Sequence, residues 1–337
     1  MENTMTLPNL PRFSLAHLPT PLEEMPRLRT ALQNEPGQHP VPRLLVKRDD
    51  QTGLATGGNK TRKLELLVAE ALRLGADTLV TTGAPQSNHC RQTAAAAARA
   101  GLACTLVLGG NAPMLDGGNL LLDRLFGAEI IFAGSEDRLI AMQHAVDDLA
   151  AKGHRPFAIT YGGSNPLGAA AYALAMDELV DQCAERGIRL DHVIVGSSSG
   201  GTQAGMVVGA RALAAPVQIH GISIDLAEKT LVSNLVTLGQ QTADLLGLDL
   251  TLADRDFTVH DAYLGGGYGV MGAAEREAIG LLARSEGLLA DPVYTGRALA
   301  GLLDLIRTGR FAADETVVFW HTGGLPAIFA YEDALRG

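Results

Sequence analysis

From Leu44 almost to its C-terminus the chain alternates apolar runs of strand length with stretches of helical periodicity. That alternation constrains the fold more than any other feature, because it reads as repeated βα units. Parallel strands cannot be joined by tight turns. They need long crossovers, and the helical stretches supply them. The spacing predicts strands at 43–47, 78–82, 103–108, 129–132, 157–160, 192–195, 217–222 and 316–320. Between them it predicts helices that include 59–74, 88–100, 119–126, 135–152, 166–186, 202–214, 273–286 and 296–308. The expected class is α/β, with doubly wound, open, mostly parallel sheets covered by helices on both faces.

This series of strands is too long for one comfortable core in 337 residues. Two glycine pairs, Gly57-Gly58 and Gly162-Gly163, offer places to divide it. The expected division is a small domain at 62–162 and a large discontinuous one at 1–61 and 163–337, with a cleft between them. The composition agrees: 39 glycines against 4% aromatic residues suit helices lying close on a sheet.

A formal net charge of −10, with no long Lys/Arg run, argues against nucleic acid as a partner. No apolar run approaches the length of a membrane span, and Pro8, Pro11 and Pro19 interrupt the start, so neither a membrane nor a leader peptide is expected. The expected compartment is the cytoplasm. Cys90, Cys104 and Cys183 are scattered and odd in number, which fits neither a disulfide framework nor a zinc site.

Three loops between strands and helices carry groups suited to chemistry. In Gly57-Gly58-Asn59-Lys60, an amine stands at a helix N-terminus, where partial positive charge and desolvation both lower its pKa and make it a nucleophile toward carbonyls. A solvated helix-start lysine would look the same, and Lys47 and Lys63 are rivals for the role. The run Gly196-Ser197-Ser198-Ser199-Gly200-Gly201-Thr202 follows an apolar strand and opens a helix, as an anion cup does. It lacks the Lys of a Walker loop and the glycine spacing of a dinucleotide site, and a capped βα turn is the plainer alternative, but the unbroken small-residue run from Gly196 to Gly201 is more than a turn needs and favours anion binding. Gln86-Ser87-Asn88 sits between another strand and helix, with amide and hydroxyl groups fit for a carboxylate or simply for a helix cap. Nearer the C-terminus, Tyr268 and Tyr294 stand in glycine-flanked loops, as acid/base or stacking groups or as loop anchors.

A reactive lysine, an anion cup without nucleotide features and a carboxylate loop together describe a pyridoxal 5′-phosphate enzyme acting on an amino acid. The chain resembles the fold type II, tryptophan-synthase-β-like enzymes, and within them the D-cysteine desulfhydrase and 1-aminocyclopropane-1-carboxylate (ACC) deaminase group. The resemblance runs from Leu18-Pro19-Thr20-Pro21-Leu22 through Lys47-Arg48-Asp49-Asp50, Gly57 to Lys60, Gln86 to Asn88, Gly162-Gly163-Ser164-Asn165 and the Gly/Ser loop to His321-Thr322-Gly323-Gly324.

By that resemblance Lys60 carries the cofactor, Asn88 bonds its phenolic oxygen, and Ser199, Gly200, Gly201 and Thr202 hold its phosphate in the large domain. Gln86 and Ser87, with Asn88, meet the substrate, and Tyr268 and Tyr294 line its side of the ring. Thr295 and Thr322 stand where ACC deaminases place Glu and Leu, which points to β-elimination from D-cysteine, giving pyruvate, ammonia and hydrogen sulfide. L-cysteate sulfo-lyase and ACC deaminase activities are the alternatives within the group, with D-serine and β-chloro-D-alanine as further substrates. A catalytically silent cofactor- or amino-acid-binding protein is the alternative outside it. The resemblance also implies a homodimer.

Overall fold

Strands that read as nearly continuous apolar runs are strands covered on both faces, and the computed structural model places them so. It describes residues 5–37, 39–114 and 116–336, and positions 1–4, 38, 115 and 337 of the expected domain division lie outside the described residues. A six-stranded sheet has the order β1 (Leu22–Glu24), β2 (Arg43–Lys47), β10 (Thr316–Trp320), β7 (His192–Ser197), β8 (Gln218–Ser223), β9 (Thr258–His260). A four-stranded sheet has the order β5 (Glu129–Phe132), β4 (Ala103–Leu108), β3 (Thr78–Gly83), β6 (Pro156–Ala158). Every pairing is parallel except that of β1 with β2.

The helices are α1 (Pro26–Gln33), α2 (Lys60–Arg73), α3 (Asn88–Ala100), α4 (Gly118–Leu125), α5 (Arg138–Ala151), α6 (Pro166–Glu185), α7 (Gly201–Ala212), α8 (Glu228–Leu245), α9 (Ala273–Glu286), α10 (Thr295–Arg307) and α11 (Glu332–Arg336). Alternation along β10 divides them between the faces of the larger sheet. Val318 and Trp320 pack with α6, α7 and α8, whereas Val317 and Phe319 pack with α1, α9 and α10. Leu64, Leu67 and Val68 of α2 join Ala94 and Ala97 of α3 in the core of the smaller sheet.

Several boundaries move for local reasons. The helix expected from residue 135 begins at Arg138, because Asp137 Oδ1 accepts from Leu139 N at 2.8 Å and caps it. The strand expected at 157–160 pairs only over Pro156–Ala158, and the chain then enters a 3-10 turn at Tyr161–Gly163. β1, β9, α1, α8 and α11 do not figure in the expected series. The longest of these, α8, buries Leu231, Leu235, Gly239 and Thr242 along one face. Gly239 interrupts its apolar pattern because a Cβ there would stand 2.7 Å from Leu252 Cδ1.

A buried ionic cluster fixes the entry to α2. Arg62 donates to Asp49 and Glu178, Tyr172 Oη donates to Asp49 Oδ2 at 2.6 Å, and Lys47 donates to Glu178 and Gln182. The strand ends of β3, β7 and β10 lead directly into the loops singled out above, as expected where ligands meet open α/β sheets.

Candidate active site

The carboxyl ends of β3 and β7 and the start of α2 converge on one cavity. Lys60, Ser87, Asn88, Ser199, Gly200, Thr202, Tyr294 and Thr322 line it, as do Asn59, His89 and Tyr161. Gln86, Gly201, Tyr268 and Thr295 are not among the lining residues.

The fold separates the three candidate lysines. Lys47 is committed to Thr20 O, Glu178 and Gln182. Lys63 is buried and donates to Gly162 O and Ser164 Oγ, each at 3.3 Å. Lys60 alone of the three reaches the cavity, at the first position of α2. Burial pushes its pKa down to about 8, so about a tenth of it is a neutral amine at pH 7, far more than for an ordinary lysine. The turn before it is tight: Gly57 has φ of 73°, and a Cβ there would lie 1.8 Å from Asp50 O.

On the opposite wall, α7 begins at Gly201 with Gly200 as its N-cap at φ of 82° and no side-chain cap. Thr202 Oγ1 accepts from Asn59 Nδ2 at 3.1 Å, which leaves its proton for the cavity. Ser199 Oγ and Ser164 Oγ are 2.8 Å apart, and Gly201 N donates to Ser164 Oγ at 3.1 Å. Ser197 belongs to the cavity lining, and its buried Oγ has no protein partner.

Ser87 is the N-cap of α3, its Oγ accepting from Cys90 N at 3.2 Å. Gln86 turns away: its Oε1 accepts from Asn119 N at 2.9 Å and its Nε2 donates to Gly117 O at 2.9 Å. Tyr268 and Tyr294 meet through their hydroxyls at 2.7 Å, and burial raises both pKa values, so both phenols stay protonated. Thr295 Oγ1 donates to Asp291 Oδ1 at 2.6 Å, and that carboxylate also accepts from the backbone N–H groups of Val293, Tyr294 and Thr295. Sequence reading had no reason to select Asp291. Tyr161 could have been found, as an aromatic directly before the Gly162-Gly163 pair.

The sequence pattern of the family described as "Pyridoxal-phosphate dependent enzyme" matches residues 13–323. The chain belongs to this family. A curated D-cysteine desulfhydrase from Klebsiella pneumoniae (strain 342) is 43% identical over 343 residues, covering 98% of this chain and 100% of its own length. One from Salmonella typhi is 44% identical over 331 residues, covering 96% and 97%. Among solved structures, one described as an ACC deaminase homologue superposes with a TM-score of 0.88 at 34% identity, covering 97% of this chain and 96% of that one. The processed form of threonine deaminase isoform 2 from Solanum lycopersicum, at 16% identity and a TM-score of 0.66, shares the fold over 94% of this chain and 82% of its own.

A pyridoxal-phosphate dependent enzyme must offer its cofactor an amine and an anion cup, and the cavity offers both. The N-cap of α7, Gly200, has no side chain to cover the N–H groups that follow Gly201, and Ser199 and Thr202 bring hydroxyls to the same wall, a donor set suited to phosphate oxygens. The residues present fit the group.

Proposed function

We propose that the chain is a pyridoxal-phosphate dependent carbon-sulfur lyase acting as a D-cysteine desulfhydrase, converting D-cysteine and water to pyruvate, ammonia and hydrogen sulfide. The observation that carries this reading is the identity of 43% to a D-cysteine desulfhydrase over 98% of this chain. Thr295 and Thr322, buried or half-buried at the site, support it, since no carboxylate occupies either position.

In this reading Lys60 holds the cofactor, and Ser199, Gly200, Gly201 and Thr202 hold its phosphate. When bound, the cofactor supplies an electron sink that acidifies the substrate Cα–H and allows a Cβ substituent to leave. The chain's own groups then divide the proton work. The backbone N–H groups opening α3 and the Ser87 hydroxyl orient the substrate carboxylate, with Asn88 beside them. Lys60 Nζ, as a neutral amine, would take the Cα proton. The Tyr294–Tyr268 pair, held protonated by burial, donates toward the departing sulfur rather than acting as a base. The organic fragment that remains hydrolyses to pyruvate and ammonia.

The two sheets support the division into domains at 62–162 and at 1–61 with 163–337, since the cavity draws Ser87 and Asn88 from the first and Lys60, Ser199, Gly200 and Thr202 from the second. No described helix is long and apolar enough to cross a membrane. A cytoplasmic homodimer is the assembly that the family resemblance favours, and mass measurement by light scattering tests it.

The decisive experiment is to supply purified holoprotein with D-cysteine, L-cysteate, ACC and D-serine and to measure sulfide, sulfite and 2-oxo acid. Sulfide and pyruvate from D-cysteine are expected. Turnover of ACC or L-cysteate without D-cysteine overturns the reading. Lys60→Ala is expected to lose both the visible band of the bound cofactor and turnover, while Lys63→Ala keeps a covalent band.

A further inference from the structure

Asn88 lines the cavity at the first position of α3, and its side-chain oxygen is already spoken for. Oδ1 accepts from Arg91 Nη1 at 3.1 Å and from Asn119 Nδ2 at 2.9 Å. A guanidinium has donors and no acceptor, so the amide edge that faces Arg91 must be the oxygen. The NH₂ edge is thereby left to face the cavity.

Arg91 is itself fully buried and held on three sides. It donates through Nη1 to Asn119 Oδ1 at 2.8 Å and through Nη2 to Gly57 O at 2.9 Å, in the turn that leads to Lys60. Burial pushes its pKa down to about 10, with Asp123 and Asp291 opposing, so it remains a cation at neutral pH. Asn119 is fixed in turn by Gln86, whose backbone oxygen accepts from Asn119 Nδ2 at 2.8 Å. The network therefore ties the turn before α2, the start of α3 and the start of α4 to one amide orientation.

We propose that Arg91 is a positioning residue, braced by Asn119, that fixes Asn88 as a hydrogen-bond donor into the cavity, toward an acceptor oxygen of the bound pyridoxal phosphate. The proposal rests on the cofactor site described above and is independent of which amino acid is the substrate. A glutamine in place of Arg91 could donate or accept, and would release the amide to flip.

The test is reconstitution of cofactor-free protein with pyridoxal phosphate, measuring the cofactor dissociation constant and the pH midpoint of its visible band. Arg91→Gln and Asn88→Ala are each expected to weaken the cofactor about tenfold, the loss of one good hydrogen bond. Both should move the midpoint in the same direction, and the double variant should be no worse than the poorer single one. Arg91→Lys, which keeps a charged donor and no acceptor, should keep the midpoint close to that of the parent. A parental constant and midpoint in Arg91→Gln, or losses that multiply in the double variant, would overturn the proposal. A purely structural role would lower the melting temperature without moving the midpoint, and would also overturn it. If Arg91→Gln does not fold, Asn119→Ala replaces it and is expected to move the midpoint in the same direction by less; an unchanged midpoint refutes the proposal.

Discussion

Lys60 shows what a single buried amine costs and what it provides. Its folded pKa, about 8, lies below the ordinary value of 10.5 because burial disfavours the charge. Between those two values the unfolded chain binds more protons than the folded one, so stability rises with pH across that window. Below about pH 8 both states are protonated and the penalty is constant, at up to about 3 kcal/mol. Cofactor-free Lys60→Met is therefore expected to be more stable than the cofactor-free parent at pH 7, with an advantage that shrinks as the pH rises from 8 toward 10. Urea unfolding at both ends of that range measures it, and an advantage that does not change with pH contradicts the assignment. The role proposed for Lys60 was half legible in the sequence. Gly57-Gly58-Asn59 marked the turn and favoured Lys60, but Lys47 and Lys63 stayed as rivals until Glu178 and Ser164 were seen to occupy them. Those partners are remote in sequence, and no local pattern announces them.

At the scale of elements, the loop that carries Tyr268 is glycine-rich and would be loose by itself, yet it is pinned from α10. Arg297, buried there, donates to Gly267 O at 3.2 Å and Val270 O at 2.8 Å, on either side of Tyr268, and to Ile224 O at 2.8 Å. Its Nε donates to Glu275 Oε1 at 2.8 Å, and Glu275 in turn accepts from Gly272 N at 2.9 Å at the start of α9. One guanidinium thus sets the loop against Tyr294, which precedes α10. Arg297→Met leaves a buried carboxylate unpaired and is expected to cost about 3 kcal/mol of stability. It should also lower turnover as Tyr268→Phe does while retaining the cofactor band, and the two effects should not add. Chemical denaturation and steady-state rates read both, and parental turnover in a folded variant would detach Arg297 from Tyr268. The sequence made both tyrosines visible because aromatics are scarce, but it could not show their hydroxyls meeting. It made α3 and α9 plain through unbroken periodicity, and it hid α8, whose pattern Gly239 interrupts to admit Leu252.

Across the whole molecule, the alternation of strand and helix was enough to establish class and connectivity, because parallel pairing leaves few topologies open. It could not place β1, a three-residue antiparallel edge, or β9 on the far edge, since such short strands gain their identity from a neighbour rather than from their own pattern. The net charge of −10 likewise says nothing about an anionic cofactor, which must be met by local donors. The donors proposed for it come from different elements: the amine from α2, the amide from α3 and the N–H groups that open α7. A ligand gripped by all three stabilises the folded state in proportion to its excess over the dissociation constant, by about 3 kcal/mol at a hundredfold excess. Stripping the cofactor is therefore expected to lower the melting temperature by several degrees, and readdition should restore it. Because the grip is confined to the loops, amide exchange should quicken at 84–90 and 197–203 while β4 and β10 stay protected. Uniform loss of protection through both sheets would instead mean that the cofactor holds up the whole fold, and would refute a preformed cavity waiting to be filled.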